Sequence, residues 1–355
     1  MKRARANAAK TLGFDGTVCN VWDSASYCAS SDCSTMAISG GSPPLSAAES
    51  LSAVAAYPMP SQSPPLTRLF AIDGCGTALA LSDTRRPTHM VYGREKAWGE
   101  SDRKRRLGYQ LFGELHVPGR LRSWHVMKEL RRRGLWNETP RALLDAGGGE
   151  GAFAYHVARR FPSWQVAVAD NEPKTIERAH RIKRGLRLDN LEVREVDLLY
   201  PGDEAAWDIV VCADVLEHIE SHDVVVKHLA HALRPGGILI VTSPSVPQPR
   251  HLPMVAWRER RIGFHPSDYG HVRDGYSAQD LRLLLENAGL DVDAIKFTFG
   301  RPGTLMFDLF FATGDNRPNP LVYAALLPMY LGLAKLDVSQ EHAHGAAILG
   351  IGRKP

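Results

Sequence analysis

Two groups of residues in this chain have the types and spacing to do chemistry. In the first, Asp145-Ala146-Gly147-Gly148-Gly149-Glu150-Gly151 sets an acid ahead of glycines at alternate positions. Glycines there let the backbone approach a ligand closely, and a helix starting just after them offers free N–H donors. Gly147, Gly149 and Ala152 also satisfy the dinucleotide pattern G-x-G-x-x-[GA], so the turn alone does not choose a ligand. Asp170-Asn171 follows 25 residues beyond Asp145, where an acid can accept both hydroxyls of a ribose. The second group is Asp214, Glu217 and His218. Spacing i, i+3, i+4 puts all three on one face where a helix begins. Such a set suits a general base, a set of metal ligands, or a tie to a neighbouring loop. His251, His265 and His271 are further candidate bases, and His265 or His271 a candidate fourth ligand.

The elements that must position these residues are legible in order. Leu143-Leu144 closes a first strand, and a helix is expected over 152–160. Strands are expected over 164–169, over 191–196 ahead of Asp197-Leu198, and over 208–213, an apolar run of the buried type ending at Asp214. A helix over 222–233 leads through Arg234-Pro235-Gly236-Gly237 into a strand over 238–242. Ser277 is an N-cap for a helix over 278–287, with Gly289 as its terminator. Segments 291–299 and 346–352 complete a set of seven strands, the last pairing antiparallel. The expected class is α/β, a Rossmann-like seven-stranded, mostly parallel sheet, whose ligands sit outside the carboxyl ends of the strands.

Taken together, the D-x-G-x-G-x-G turn, the acid ending strand two, the Asp after strand three, D-I-V-V-x-x-D-V-L-E-H and L-R-P-G-G resemble class I S-adenosylmethionine (SAM) methyltransferases. The resemblance is strong over roughly residues 142–245. It extends to ubiquinone-pathway-type small-molecule O-methyltransferases, which carry a similar E-x-x-E-H. It implies SAM as cofactor, with Asp145 near the amino-acid end and Gly147 and Gly149 making room for the methionine portion. It also implies Asp170, followed by Asn171, at the ribose, Asp197 at the adenine amino group, Leu198 over the ring, and Asp214 at the end of strand four beside the cofactor. Glu217, His218 and His271 would then face the acceptor, His218 as general base. In some relatives a divalent metal binds the E-x-x-E-H residues. Here Asp214 replaces the first Glu with a shorter arm, and no metal is assigned.

Composition bounds the rest. A net charge of +4 over 355 residues is too small to argue for nucleic acid, and the basic clusters 103–106 and 131–133 lack interleaved aromatics. They read as solvated helix faces, or as contacts to an anionic membrane surface or substrate. Cys19, Cys28, Cys33, Cys75 and Cys212 are odd in number and lack C-x-x-C spacing, which fits neither a zinc site nor a disulfide scaffold and suits a reducing cytoplasm. Residues 1–66, with twelve serines and two Pro-Pro pairs, should be a disordered tail, or an organelle transit segment given its basic start. Residues 67–135 read as linker and helical cap, with helices broken at Pro118-Gly119, and 136–355 as the methyltransferase domain.

Within that domain, 300–345 is longer than a hairpin needs. Its apolar run Leu321 to Ala334, interrupted by Pro328, is too short to span a bilayer. It reads as a core helix pair, a dimer interface, or an apolar lid over a lipid-, quinone- or polyketide-like small-molecule acceptor, with possible peripheral membrane contact. The favoured activity is methyl transfer, most readily to oxygen. The alternatives are an NAD-dependent oxidoreductase, disfavoured because no Tyr-x-x-x-Lys follows strand four, and a nucleic-acid methyltransferase, disfavoured because no Asn-Pro-Pro-Tyr-type motif does.

Overall fold

Strands Ala142–Ala146 (β1), Gln165–Asp170 (β2), Leu191–Glu195 (β3), Trp207–Ala213 (β4), Leu233–Pro244 (β5), Asp291–Thr298 (β6) and Ala347–Arg353 (β7) form one sheet, ordered β3-β2-β1-β4-β5-β7-β6. β1 to β5 pair parallel, and β7 runs antiparallel to both β5 and β6, as the sequence predicts. The computed structural model describes residues 91–255, 257, 270–313 and 320–355. The tail 1–66, the linker to residue 90, His265 and every cysteine except Cys212 lie outside them; Cys212 is a buried core thiol. β1 is buried along its whole length, as a strand covered on both faces must be. Arg234-Pro235-Gly236-Gly237, expected as a linker, lies within β5: the pairing with β4 slips between Trp207 and Ile209, and Gly236 takes φ 78°.

Helices α1 (Arg103–Phe112) and α2 (Val117–Arg132) form the cap, α3 (Ala152–Arg160) and α4 (Pro173–Leu186) follow β1 and β2, and α5 (His222–Ala232) and α6 (Ala278–Asn287) follow β4 and β5. The cap breaks at Gly113 to His116, four residues earlier than expected. Pro118 sits in the first turn of α2, where no intrahelical N–H is needed, and His116 Nδ1 caps that turn by accepting from Gly119 N at 3.1 Å.

The insertion consists of α7 (Arg301–Ala312) and α8 (Pro320–Ser339). Pro244 and Thr298 both pair with Ala347, so the insertion leaves and re-enters the sheet beside the carboxyl end of β5. Every third or fourth residue of α8 (Tyr323, Leu327, Tyr330, Ala334) is buried, in a cluster with Val117 and Leu121 of α2 and Met306 and Phe310 of α7. α8 is thus a longer helix than the apolar run suggested. By length and composition Leu321–Ser339 could cross a membrane, with 28% of it buried. Tyr330 belongs to the core: it is fully buried, 2.8 Å from Thr313 Oγ1 and edge-on to Phe310. Leu326 is half-buried. Tyr330→Ala is therefore expected to lower unfolding free energy by about 3–5 kcal/mol in urea denaturation, while Leu326→Asp costs much less.

Candidate active site

The turn after β1 is pinned to its neighbours by its backbone. Gly147 N and Gly148 N both donate to Ala169 O of β2, at 2.8 and 3.1 Å. Gly147 has φ 67°, and a Cβ there would lie 2.4 Å from Val215 Cγ2; Gly149 has φ 58°. Two left-handed residues favour glycine, with no space for a side chain at Gly147, and leave the backbone bare toward the carboxyl ends of the strands. Asp145 faces inward: its carboxyl accepts from the Ala154 backbone, and burial, helped by Asp170, pushes it up to about 7. Asp170 is buried and raised, chiefly by burial; its Oδ2 accepts from Gly149 N at 2.9 Å and its Oδ1 from Glu172 N at 3.0 Å. Asn171 is exposed beside it. Asp197 accepts from Leu199 N at 3.0 Å, and Leu198 lines a cavity of about 130 Å³ with Leu144, Ala169 and Trp207. The expected donor-side residues thus gather at the carboxyl ends of β1, β2 and β3, around a turn whose geometry suits a close-fitting ligand.

The second group assembles differently from its helical expectation. Residues Leu216–His218 form a single 3-10 turn, and Asp214 ahead of it has φ 53°. Asp214 is not in the close cluster of Glu217 and His218 ligand atoms, though its charge is felt by both. It accepts from Thr242 Oγ1 at 2.9 Å and pairs with Arg122 of α2. Glu217 is fully buried. Ser243 Oγ donates to its Oε2 at 3.2 Å, and Oε1 has no hydrogen-bond partner. Burial, with Asp214 nearby, holds its carboxyl well above the usual range. His218 Nδ1 lies 3.2 Å from Gly270 O, and its ring meets that of His271 edge-on at 4.6 Å. A carbonyl only accepts, so Nδ1 carries the proton and Nε2 keeps a free lone pair. Burial lowers His218, and burial with the His218 neighbour lowers His271 to about 4. Potential ligand atoms of Glu217, His218 and His271 lie within 4.8 Å of one another, a set that could hold a metal and from which Asp214 is absent.

Three positioning residues escape sequence reasoning. Arg273 donates to Ile219 O at 2.6 Å and Glu220 O at 2.9 Å, and also to Leu216 O, while Val272 N donates to Glu217 O at 2.9 Å. These bonds dock the 270–276 loop on the 3-10 turn and bring His271 to His218. Arg122 enters from the cap. Asp308 of α7 accepts from His251 N and Leu252 N at 2.7 and 2.9 Å, tying the loop after β5 to the insertion. The exposed His251 side chain is not in the His218 cluster. None has a local signal, because each partner is more than fifty residues away. Of the basic clusters, 131–133 is engaged: Arg131 stacks on Trp136, and Arg132 and Arg133 pair with Glu129.

Residues 117–295, half of the chain, match the family described as the methyltransferase domain. The chain belongs to this family. It is a SAM-dependent methyltransferase, and the oxidoreductase alternative falls away. The ubiquinone biosynthesis O-methyltransferase of Xanthomonas euvesicatoria pv. vesicatoria (strain 85-10) is 26% identical over 183 residues, 51% of this chain and 73% of that protein. The protein of the same name from Rickettsia prowazekii (strain Madrid E) is 21% identical over 188 residues, 52% of this chain and 72% of its own length. Among solved structures, geranyl diphosphate C-methyltransferase from Streptomyces coelicolor A3(2), in complex with S-adenosyl-L-homocysteine, aligns with a TM-score of 0.44. Its identity is 16%, over 65% of this chain and 79% of that one.

In this methyltransferase the glycine turn tolerates little change. Gly147→Val puts a branched side chain into Val215 and into a left-handed conformation. The expected result is at least a tenfold rise (about 1.4 kcal/mol) in the Kd for SAM by titration calorimetry, with the far-ultraviolet dichroism retained.

Proposed function

We propose that the enzyme methylates a hydroxyl oxygen on a small hydrophobic acceptor of lipid, quinone or polyketide type. The observation that carries this reading is the contact of His218 Nδ1 with Gly270 O at 3.2 Å, which leaves Nε2 as the acceptor of the neutral ring. SAM supplies a methyl group already activated on a sulfonium, so the chain's work is alignment and proton removal. His218 takes the acceptor's hydroxyl proton at Nε2. His271 walls that position, and burial disfavours the charged form of Glu217. On the donor side, Asp170 accepts from the ribose hydroxyls, Asp197 from the adenine amino group, and Leu198 covers the ring, with Asp145 shaping the turn from behind. The names of the curated relatives, O-methyltransferases of ubiquinone biosynthesis, support oxygen as the target and a quinone-like acceptor.

Hydrophobicity of the acceptor is inferred from α7 and α8. Asp308 joins them to the loop after β5, and Arg250 of that loop lies over the Phe307 ring. Val322, Met329 and Leu336 leave the outer face of α8 apolar and exposed, which suits peripheral contact with a membrane that stores such an acceptor.

Two outcomes test this reading. His218→Ala should lower kcat about 10²- to 10⁴-fold while leaving the Kd for SAM unchanged; an unaltered kcat returns His218 to a structural role. Asp170→Ala should instead weaken SAM binding by about 1–3 kcal/mol. The base works when neutral, and burial depresses its pKa below the ordinary 6.5. Activity should therefore hold as pH falls to that value, with the acid limb of kcat/KM centred below it.

A further inference from the structure

We propose that His125, Asp337 and His342 form a second site, for a divalent ion of zinc type, that staples the insertion to the cap. The three residues come from α2, from the last turn of α8 and from the segment before β7. His125 Nε2 lies 2.9 Å from Asp337 Oδ2 and His342 Nε2 3.3 Å from Asp337 Oδ1, and a ligand atom from each falls within 4.8 Å of the others. Tetrahedral ligands at about 2.1 Å from zinc stand roughly 3.4 Å apart, so small side-chain shifts close the set. Two imidazoles and a carboxylate are the donor chemistry of zinc rather than of calcium or magnesium.

Independent features indicate a built site. Asp337 is fully buried, and its partners at ion-pair distance among the described residues are the two imidazoles. A buried carboxylate is stable when a cation opposes it, and a divalent ion supplies that charge. The backbone makes room on the far side. A Cβ on Gly303 would sit 2.7 Å from Asp337 Cγ, and one on Gly300 2.0 Å from His342 Nδ1. Gly303 N donates to Asp337 Oδ1 at 2.9 Å, the outer hydrogen bond that orients a ligating carboxylate. Beside His125 lies a cleft of about 10 Å³. The cations lining it, Lys128 and Lys296, are paired with Glu341 and Glu129 at 2.7 Å each. On ligation each imidazole moves its proton from Nε2 to Nδ1 and presents the Nε2 lone pair; His342 gives up its contact with Asp337 O at 2.9 Å.

The test uses the full chain carrying His218→Ala and His271→Ala, which removes the ligands near the acceptor position. After chelation, incubation with zinc alone and desalting, this protein should retain one zinc per chain, and zinc should raise its Tm. Adding His342→Ala or Asp337→Asn should abolish both effects. Cobalt in the same starting protein should give the intense visible bands of a tetrahedral site, a measurement needing no further variant. No retained zinc, equal retention after loss of His342, or octahedral cobalt spectra would each overturn the proposal.

Discussion

The contact between Gly147 and Val215 joins the glycine turn after β1 to the 3-10 turn after β4. Val215 follows Asp214 at the end of β4, and its side chain occupies the space that a Cβ on Gly147 would need. The glycine turn and the 3-10 turn, proposed above to serve the donor and the acceptor, are therefore in van der Waals contact. The turn is held from the other side by two N–H bonds to Ala169 of β2. A turn braced between adjacent strands need not reorganise when a ligand arrives, which is how a fold contributes alignment in a reaction that requires an in-line approach.

Burial sets the charge state around that contact. Glu217 is raised while His218 and His271 are lowered, all with desolvation as the largest cause. Near neutral pH the three therefore tend toward their uncharged forms. The neighbouring charges are the paired Arg122 and Asp214. That pair links the cap to the end of β4, so the charged groups close the structure while the neutral ones face the position inferred for the acceptor.

The insertion plays two parts at once. The inner stripe of α8 completes a third hydrophobic cluster with α2 and α7, and α7 holds the loop after β5 through Asp308. A segment built only as a mobile lid would not carry a fully buried Tyr330 and Asp337. The cap and the insertion share that cluster, so a perturbation in either reaches the loop after β5 through packed side chains.

What the sequence determined by itself is the local part. The strand spans, the helix over 152–160, the antiparallel last strand and the glycine turn were legible because each depends on neighbours within a few residues: apolar runs, N-caps and positions that only glycine tolerates. The positions of Asp145, Asp170 and Asp197 at or just beyond the carboxyl ends of β1, β2 and β3 were legible for the same reason. The tertiary structure decided the rest. Asp214 sits in a left-handed turn bonded to Thr242 and Arg122, outside the close cluster of Glu217 and His218, an outcome its i, i+3, i+4 spacing does not encode. His271 joins His218 because Arg273 binds three carbonyls in and just after the 3-10 turn from more than fifty residues away. Whether α8 was lid or core turned on which face met α2, and a helix apolar all round carries no mark of that choice; only the partner's shape supplies it.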